Sequence, residues 1–594
     1  MDSRNLNLIK PLGPFKFAII SALLGILTGF GAVVFRGLIA LVHNLVFLGK
    51  FSFIYDATLH THASPWGPFI ILGPVIGGAV VVFLVQKYAP EAKGHGVPEV
   101  IDAIYYYRGV IRPIVAGIKA AASSISIGSG GSVGREGPIV QIGSSVGSTM
   151  GQLMNLPLWQ RMTLIAAGTG GGIAATFNTP IGGIFFAFEL MMQEFSIRTL
   201  VPVAISTVIA TYIGQLFFGP HPAFVIPGFE TPYFHIENPV VLVAYGGLGA
   251  VVGVASALFI KSIYAFEDFF DKKVSRIYLV RHLTGMFIVG VMFYLLMKTR
   301  GHYFTEGVGY ATIQDILTGS LTGMLFLSAL FCLKLIATSL TLGSGASGGI
   351  FSPALFMGAT LGGAYGFVLH SLFPGLGINP AAFAVVGMAG MAGGVTGAAI
   401  AAIVMIFEMT LNYNVMLPMV ITVTISYGVR KVFSKESIYT MKLARRKHFV
   451  VDVLQRDMQD LKTAGEIMET HLTPVDADMT VGAFLEGLPK QPFATHYVVI
   501  SGGAVAGIIG RYEAFEKAAQ DKTAKVADMA QINYATVTED LSFLDIMAKL
   551  HEKRASIALV IEKEGDNSAG NVKGIITPEE IGKARIESLE LLSD

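Results

Sequence analysis

The chain contains long stretches without a charged side chain, and these stretches limit it to a membrane fold. The longest runs from residue 335 to residue 407 and contains no Asp, Glu, Lys or Arg. Because a helix crosses the hydrocarbon core of a bilayer with about 20 apolar residues, this run is long enough for several crossings. The sequence therefore predicts a polytopic α-helical membrane protein. Further charge-free stretches lie at residues 17–35, 57–86, 137–160, 162–188 and 199–229.

Composition agrees with this prediction and gives the expected orientation. Charged residues make up 14% of the chain, against roughly 25% in soluble domains. Basic residues lie in the N-terminal segment MDSRNLNLIKPLGPFKF and in KLARRKH at 442–448. Because segments rich in Lys and Arg stay in the cytoplasm, we expect both termini there, in a multi-pass protein of the cell membrane. The first segment lacks a small-residue cleavage site, so we interpret it as a tail and not as a removed signal peptide.

Two further features of composition concern partners and the single cysteine. The formal net charge is +1, which argues neither for nor against nucleic acid, and no basic stripe is present. We therefore expect no nucleic-acid partner. Cys332 lies in an apolar run and is expected to be a small core residue.

Composition also divides the chain into two domains. Near residue 445, glycine and aliphatic residues give way to frequent charges and short apolar runs. We expect a membrane domain at 1–450 and a cytoplasmic domain at 451–594. The tail holds two similar units, about 464–520 and 524–585. Each reads as a turn, a helix, two short strands rich in Val and Ile, and a second helix.

The membrane domain contains an internal repeat. GSGGSVGREGP at 128–138 aligns without gaps to GSGASGGIFSP at 343–353. Downstream, residues 170–191 parallel residues 390–410, with Glu189 opposite Glu408. This order predicts two halves, about 15–230 and 238–445. Transporters built from such halves often bind their substrate between them, on broken helices near the middle of the bilayer.

The glycine-rich stretches predict helix starts inside the membrane. GSGGSVGREGP cannot form one continuous helix because it holds five glycines before Pro138. Proline suits the first turn of a helix, where a missing N–H costs nothing. We therefore expect helices to begin near Gly137, near Pro353 and, from GHGVPEV at 94–100, near Pro98. Irregular backbone at membrane depth must line a cavity within the protein.

Three helix N-termini that meet in a membrane predict a binding site for an anion. Each N-terminus carries roughly +0.5 charge and several free N–H donors. A cation would need rings of carbonyl or carboxylate oxygens, and residues 335–407 supply no carboxylate. Glu136 then competes with the anion for the same donors. Ionised, it blocks the path; protonated or displaced, it opens the path, so Glu136 is predicted to be a gate.

These motifs resemble the CLC family of chloride channels and chloride/proton exchangers. The matching stretches are GREGP at 134–138, GIFSP at 349–353 and SIYTMKL at 437–443. The resemblance implies a CLC-type inverted repeat of tilted, broken helices. It also implies a homodimer in the lipid bilayer with a separate pore in each subunit. The tail resembles a tandem CBS domain, a small α/β pair.

The resemblance assigns roles to individual residues. Glu136 matches the gating glutamate, and Tyr439 matches a tyrosine whose hydroxyl contacts the central anion. The remaining predicted contacts to chloride or another small monovalent anion come from backbone amides and neighbouring groups. His95 stands where the family usually has a serine, so the resemblance implies anion transport and leaves the preferred anion open. The predicted anion-binding residues are His95, Gly96, Arg135, Glu136, Gly137, Ile350, Phe351 and Tyr439.

One position bears on proton coupling. Exchangers of the family usually carry an inner glutamate directly after the position of Glu189, and here that residue is Leu190. On this ground we expect a channel, with a chloride/proton exchanger as the alternative, because some exchangers lack an inner carboxylate. Glu189 matches a structural glutamate, and together with Glu408 it is expected to support helix packing.

Other functions are less well supported. CBS-containing channels for divalent cations need several membrane carboxylates, and the core repeats hold only Glu136, Glu189 and Glu408. Neither a nucleophile nor a metal motif accompanies Glu136, so we expect no enzyme, no metal and no required cofactor. Many CBS pairs bind adenine nucleotides through T-x-x-D, and the closest stretch here is TPEE, with Thr577 and Glu580. A purely structural or dimer-stabilising tail is at least as well supported.

Overall fold

A computed structural model describes most of the chain, in two compact units. The described residues are 11–192, 196–224, 239–448, 463–470, 472–487, 496–518, 521–563, 566 and 568–590. The units are Met1–Val450 and Val451–Asp594. The predicted domain boundary near 450 and the junction of the two repeat halves at 230–238 lie outside the described residues.

The regular elements of the first unit, in its described part, are helices joined by loops. Eight of its helices are long and apolar enough to cross a membrane, and shorter helices lie between them. α1 continues as a π-helical turn at Asn44–Leu48. In chain order the helices are α1 Pro14–His43, α2 Leu72–Tyr88, α3 Val97–Tyr106, α4 Ile114–Gly128, α5 Glu136–Leu153, α6 Leu158–Phe177, α7 Pro180–Ala187, α8 Ile197–Phe218, α9 Val240–Phe269, α10 Tyr278–Arg300, α11 Tyr310–Leu317, α12 Met324–Ser344, α13 Phe351–Leu372, α14 Pro380–Thr396, α15 Ala399–Thr410, α16 Met416–Phe433 and α17 Ile438–Arg445.

The two halves pack their central helices through equivalent glycines. A Cβ on Gly143 of α5 would collide with the carbonyl oxygen of Gly168 in α6. A Cβ on Gly358 of α13 would collide in the same way with Gly387 in α14. Small residues let helix backbones approach closely inside a membrane. Both helix pairs therefore cross at glycines that the repeat places in equivalent positions.

A second pair of equivalent residues extends the repeat beyond what the sequence analysis found. Lys119 is buried and donates its Nζ protons to the carbonyls of Ala92 (2.9 Å) and Gly94 (2.7 Å). Lys334 is buried too, and donates to Thr305 (3.1 Å) and Gly307 (2.9 Å). The hydrogen bonds of Lys119 hold the loop that precedes the short helix α3, and those of Lys334 hold the loop that precedes the short helix α11. The helix α11 is thus the equivalent of α3.

The prediction for Cys332 is wrong, because its side chain is exposed on α12. The physical reason is general for membrane helices. A face that meets lipid is as apolar as a face that meets the protein core, so an apolar run does not distinguish them.

The second unit contains two small mixed sheets of the same topology. In one, β1 (Pro474–Asp476) pairs parallel with β2 (His496–Ser501), which pairs antiparallel with β3 (Ala504–Gly510). In the other, β4 (Ala535–Thr538), β5 (Ala558–Ile561) and β6 (Val572–Ile576) repeat this order. The accompanying helices are α18 Ala464–Ile467, α19 Val481–Gly487, α20 Arg511–Ala518, α21 Phe543–Lys553 and α22 Pro578–Glu590.

Successive residues of β2 pack into two different hydrophobic clusters. Tyr497 and Val499 pack into the core of the first sheet with Phe484. Val498, between them in sequence, instead joins a cluster with Leu559 of the other sheet. Because side chains alternate across a strand, each sheet buries one face on its own helices and the other on its neighbour.

Candidate functional site

Three glycine-rich loops meet in the first unit through backbone hydrogen bonds. The amide of Gly134 donates to Gly349 (2.7 Å), and the amide of Gly349 donates back (2.6 Å). Gly94 donates to Ala346 (2.9 Å) and accepts from Gly348 (3.3 Å). The loops therefore bring the first residues of α3, α5 and α13 together. These helices begin at Val97, Glu136 and Phe351, within two residues of the predicted starts, which confirms the predicted breaks.

Two glycines make this approach possible. A Cβ on Gly137 would overlap the carbonyl oxygen of His95 and lie 3.2 Å from the Cα of Gly349. Gly96 has φ +86°, a left-handed conformation that favours glycine, and its Cβ would lie 2.8 Å from the carbonyl oxygen of Gly137. Side chains at either position would push the loops apart. The predicted site residues His95, Gly96 and Gly137 are thus in direct contact.

The carboxylate of Glu136 lies at the start of α13 and is almost fully buried, with 1% of the residue exposed. Its Oε2 accepts a hydrogen bond from the backbone amide of Ser352 (3.2 Å). Its Oε1 accepts from the hydroxyl of Tyr310 (2.8 Å) and from that of Ser352. Ile350 and Phe351, two predicted anion contacts, directly precede Ser352 and are buried. The acidic side chain therefore occupies N–H and O–H donors of the kind that would bind an anion.

Tyr310 and Ser352 were missed in the sequence analysis, although signals for both exist. Ser352 lies inside the aligned motif GSGASGGIFSP. Tyr310 ends the stretch GVGY at 307–310, which parallels GHGV at 94–97 in the other half. Extending the repeat to these short stretches would have indicated that α11 also begins near the site.

Arg135 does not pair with Glu136. Within the described residues, no nitrogen of Arg135 lies within 4 Å of that carboxylate. Its guanidinium carbon instead lies 5.1 Å from the ring centre of Tyr310 and 5.4 Å from that of Phe177. Arg135 also lines a cavity of about 940 Å³, here called the vestibule, together with Arg36, Gln215, Tyr310 and Gln314. The arginine therefore forms part of the wall that leads to the Glu136 region.

His95 and Tyr439, two of the predicted anion-binding residues, lie close together. Their ring centres are 6.4 Å apart, and both side chains are buried. The ring of Tyr264 lies edge-on to His95, also at 6.4 Å, and its hydroxyl donates to the carbonyl of Ile438 (2.6 Å). Tyr264 thus holds the first turn of α17, which carries Tyr439. The Nδ1 atom of His95 is buried and has no hydrogen-bond partner among the described residues.

Ion pairs join α3 to α17 and to the residues that directly follow it. Glu99 contacts Lys442 (2.9 Å) and Arg446 (2.6 Å), and Asp102 contacts Arg446 (3.3 Å) and His448 (2.7 Å). Burial alone would raise the pKa of Glu99, but Lys442 and Arg446 outweigh it and lower the pKa to about 2. The carboxylate is therefore ionised at neutral pH and helps to fix His95 relative to Tyr439.

Comparison with known proteins identifies the family. The family described as "Voltage gated chloride channel", or Voltage_CLC, matches residues 77–431, which is more than half of the chain. The chain belongs to the CLC family. This confirms the resemblance found in the sequence and assigns the chain to anion transport as a multi-pass membrane protein.

Individual relatives agree with this assignment. The H(+)/Cl(-) exchange transporter ClcA of Vibrio parahaemolyticus serotype O3:K6 (strain RIMD 2210633) is 32% identical over 450 residues, covering 75% of this chain and 92% of that protein. A slow cyanobacterial Cl-/H+ antiporter superposes with a TM-score of 0.62 at 23% identity, covering 75% of this chain and all of its own. A eukaryotic CLC transporter superposes with a TM-score of 0.60 at 21% identity, covering 95% of this chain and 98% of its own. These structural likenesses show that the fold is the CLC fold.

Within this CLC fold, Glu189 and Glu408 have reciprocal structural roles. The carboxylate of Glu189 accepts hydrogen bonds from Ile400 (3.2 Å) and Ala401 (2.8 Å), in the first turn of α15. Glu408 accepts from Ile181 (3.0 Å) and Gly182 (2.7 Å), in the first turn of α7. Each half of the repeat therefore caps a helix of the other, which confirms the predicted role in helix packing.

The remaining predicted positions are Leu190 in the CLC domain and the pair Thr577 and Glu580 in the second unit. Leu190 is buried beside Glu189 and offers no proton acceptor. In the second unit, Glu580 accepts hydrogen bonds from the amide (3.2 Å) and the hydroxyl of Thr577. The two residues thus satisfy each other at the start of α22. A nucleotide role for this pair stays a prediction.

Proposed function

We propose that this protein exchanges chloride, or another small monovalent anion, for protons across a membrane. Glu136 serves both as the gate of the anion path and as the group that carries the proton. The observation that supports this most directly is the position of its carboxylate on the Ser352 amide and the Tyr310 hydroxyl. An anion and an ionised carboxylate compete for such donors, so one displaces the other.

The exchange follows from the two charge states of Glu136. Ionised, its side chain accepts charge-assisted hydrogen bonds at the start of α13 and closes the path. Protonated, it loses the charge that these donors favour, and an anion takes its place at the helix N-terminus. A second anion position lies between His95 and Tyr439. Alternation of anion and carboxylate at the first position couples the movement of protons to that of anions.

The relatives support an exchanger over the channel that the sequence analysis favoured. That preference depended on Leu190 alone. The ClcA relative is named an H(+)/Cl(-) exchange transporter, and the cyanobacterial neighbour is described as a Cl-/H+ antiporter. We therefore infer that protons reach Glu136 from the inner side without a carboxylate at position 190.

Proton movement in liposomes tests this function. The full chain is reconstituted, an outward chloride gradient is imposed, and external pH is recorded without other driving force. We expect protons to move uphill in the parent protein, and Glu136→Gln to abolish proton movement while anion flux continues. Anion flux without proton movement in the parent would support a channel instead. Loss of all anion flux in Glu136→Gln would contradict the gate role.

Ion replacement separates the anion path from the alternative of a divalent-cation channel. In planar bilayers, we expect the reversal potential to follow chloride and to ignore magnesium. A potential that follows magnesium would exclude the proposed function.

We further propose the assembly and orientation of the chain. It forms a homodimer in the bilayer with one anion path in each subunit, and both termini lie in the cytoplasm. The second unit is proposed to be a tandem CBS domain with a structural role, because Thr577 and Glu580 bond to each other. Titration of the full chain with adenine nucleotides tests this role, and saturable binding lost in Thr577→Ala would favour a nucleotide sensor.

A further inference from the structure

A small cavity is lined by Arg135, one of the predicted anion-binding residues, and by residues outside that set. Its volume is about 30 Å³, enough for one water molecule. It is enclosed by the end of α1, the loop between α1 and α2, and the loop that precedes α11. The polar residues that line it are Arg36, His43, Tyr55, Arg135 and Glu306.

Three of these residues carry a buried polar atom without a hydrogen-bond partner among the described residues. The atoms are Nδ1 of His43, Nε of Arg135 and Oε2 of Glu306. His43 is 4% exposed and Arg135 is 9% exposed. Buried polar atoms are nearly always paired, so three around one cavity of this size indicate a site for a polar ligand.

The hydrogen bonds on the far side of His43 and Glu306 determine which atoms can take a proton. The hydroxyl of Thr61 donates to Oε1 of Glu306 and lies 3.0 Å from Nε2 of His43. Because Thr61 uses its only proton on Glu306, Nε2 of His43 must carry the proton that it donates to Thr61. In the neutral ring, Nδ1 is then the basic nitrogen. Two bases, Nδ1 and Oε2, therefore belong to one cavity.

A second cavity is lined both by Glu306 and by Tyr310, a hydrogen-bond donor to Glu136. Its volume is about 20 Å³, and it is lined by Glu306, Thr61, His60 and Tyr310, among others. The hydroxyl of Tyr310 donates to Glu136 (2.8 Å). The first cavity shares Arg36, Tyr55 and Arg135 with the vestibule. Glu306 thus lines both small cavities, one of which shares residues with the vestibule and the other of which includes Tyr310, the hydrogen-bond donor to Glu136.

We propose that Glu306 and His43 form a proton-loading site for Glu136 that is supplied with protons from the vestibule. A proton from vestibule water binds to Nδ1 of His43 or Oε2 of Glu306. Tyr310 then transfers its hydroxyl proton to Oε1 of Glu136 and takes up the proton released by Glu306, passed on by one water molecule in the second cavity, so no net charge remains on Tyr310. This inference rests on the proposed function, in which Glu136 takes up protons.

His43 and Glu306 are direct neighbours. The distance from Nε2 of His43 to Oε1 of Glu306 is 3.7 Å, and the unpartnered Nδ1 and Oε2 of the same two groups are both buried. A single proton can therefore be shared by the pair and passed on. The other titratable and charged groups that line the two cavities are Arg36 of α1, Tyr55 and His60 of the α1–α2 loop, Arg135 before α5, Tyr303 before α11 and Tyr310 of α11. Lys334 of α12 interacts electrostatically with Glu306, Asp56 with Tyr55, and Asp315 of α11 lies 2.8 Å from His60.

The experiment uses the full chain in planar bilayers, with pH changed on one side at a time. Glu306→Gln and His43→Gln are compared with the parent and with Glu91→Gln, an exposed carboxylate in an ion pair with Arg112. We expect each cavity variant to slow proton transport about 10-fold and to shift the pH dependence measured from the vestibule side only. Glu91→Gln should behave like the parent.

Folding and gate function are tested separately. Combined with Glu136→Gln, Glu306→Gln should leave anion flux at the rate of Glu136→Gln alone, which shows that the variant is folded. Parental proton rates and pH profiles in both cavity variants would overturn the proposal, as would equal shifts from both sides of the membrane. If the parent moves anions without protons, the exchanger proposal fails, and the one-sided pH dependence of the anion current still tests the site.

Discussion

The hydroxyl of Tyr310 donates a 2.8 Å hydrogen bond to the carboxylate of Glu136, across 174 residues of sequence. The same hydroxyl lies 2.8 Å from that of Ser352, so the two hydroxyls and the carboxylate form one closed group. Tyr310 is the first residue of α11, and Ser352 lies in the first turn of α13. Two short stretches in the second half of the repeat thus hold Glu136, which belongs to the first half.

Removal of the Tyr310 hydroxyl should loosen this group. Tyr310→Phe keeps the ring but removes a donor to an ionised carboxylate, a bond that contributes roughly 1.5–3 kcal/mol. We expect anion flux at pH above 7 to rise about 10-fold, because ionised Glu136 leaves its position more often. Flux assays across a pH series measure this, with the exposed Tyr413→Phe as control. A parental pH profile in Tyr310→Phe would mean that the bond does not hold the gate.

His95 should influence which anion is preferred. Its ring lies 6.4 Å from that of Tyr439, and its Nδ1 has no partner among the described residues. An imidazole N–H directed at an anion contributes roughly 1.5–3 kcal/mol. We therefore expect His95→Ser to change the ratio of chloride to nitrate permeability about 10-fold. An unchanged ratio would place the ring away from the anion.

The contact between the loops should not tolerate a methyl group. Gly137→Ala places a Cβ against the carbonyl of His95, and overpacking of this kind costs about 1–3 kcal/mol or more. We expect lower thermal stability in detergent and little anion flux. The matched control is Gly117→Ala in α4, where a Cβ meets nothing within 4 Å, and stability there should rise by about 0.5–1 kcal/mol. Equal behaviour of the two variants would contradict the described loop contact.

The ion pairs of Glu99 should give a stability that depends on pH. The folded-state pKa is lowered to about 2, against about 4.3 in an unfolded chain. Ionised Glu99 therefore stabilises the fold at pH values above about 4.3, and this contribution falls as pH is lowered toward 2.

Glu99→Gln tests that contribution. The substitution removes one partner of a buried ion pair. We therefore expect the free energy of unfolding at pH 7 to fall by roughly 3 kcal/mol. The difference between variant and parent should shrink between pH 4 and pH 2. Thermal unfolding of the detergent-solubilised chain measures it, and a difference that stays constant with pH would assign the effect to packing alone.

Local sequence was sufficient for the helix breaks. Glycine and proline act on the backbone where they stand, so GSGGSVGREGP and GSGASGGIFSP predicted the starts of α5 and α13 within two residues. The repeat in the sequence also showed that Glu189 and Glu408 occupy equivalent positions. Only the structure showed that each of them caps a helix of the opposite half.

Features that depend on packing between distant segments were not predictable in the same way. Cys332 was assigned to the core because apolar residues face both lipid and protein in a membrane domain. Tyr310 and the cavity beside Arg135 join residues separated by more than 170 positions, and no local periodicity marks such contacts.

The sequence by itself determined a membrane chain of two repeated halves, with helices broken at glycines and an acidic residue at one break. Charge-free length and backbone preference are local properties, so they can be read from the residues alone. Only the tertiary structure decided which donors hold Glu136, that Arg135 faces rings and not the carboxylate, and that His43 and Glu306 share a cavity. These relations depend on how the two halves pack against each other.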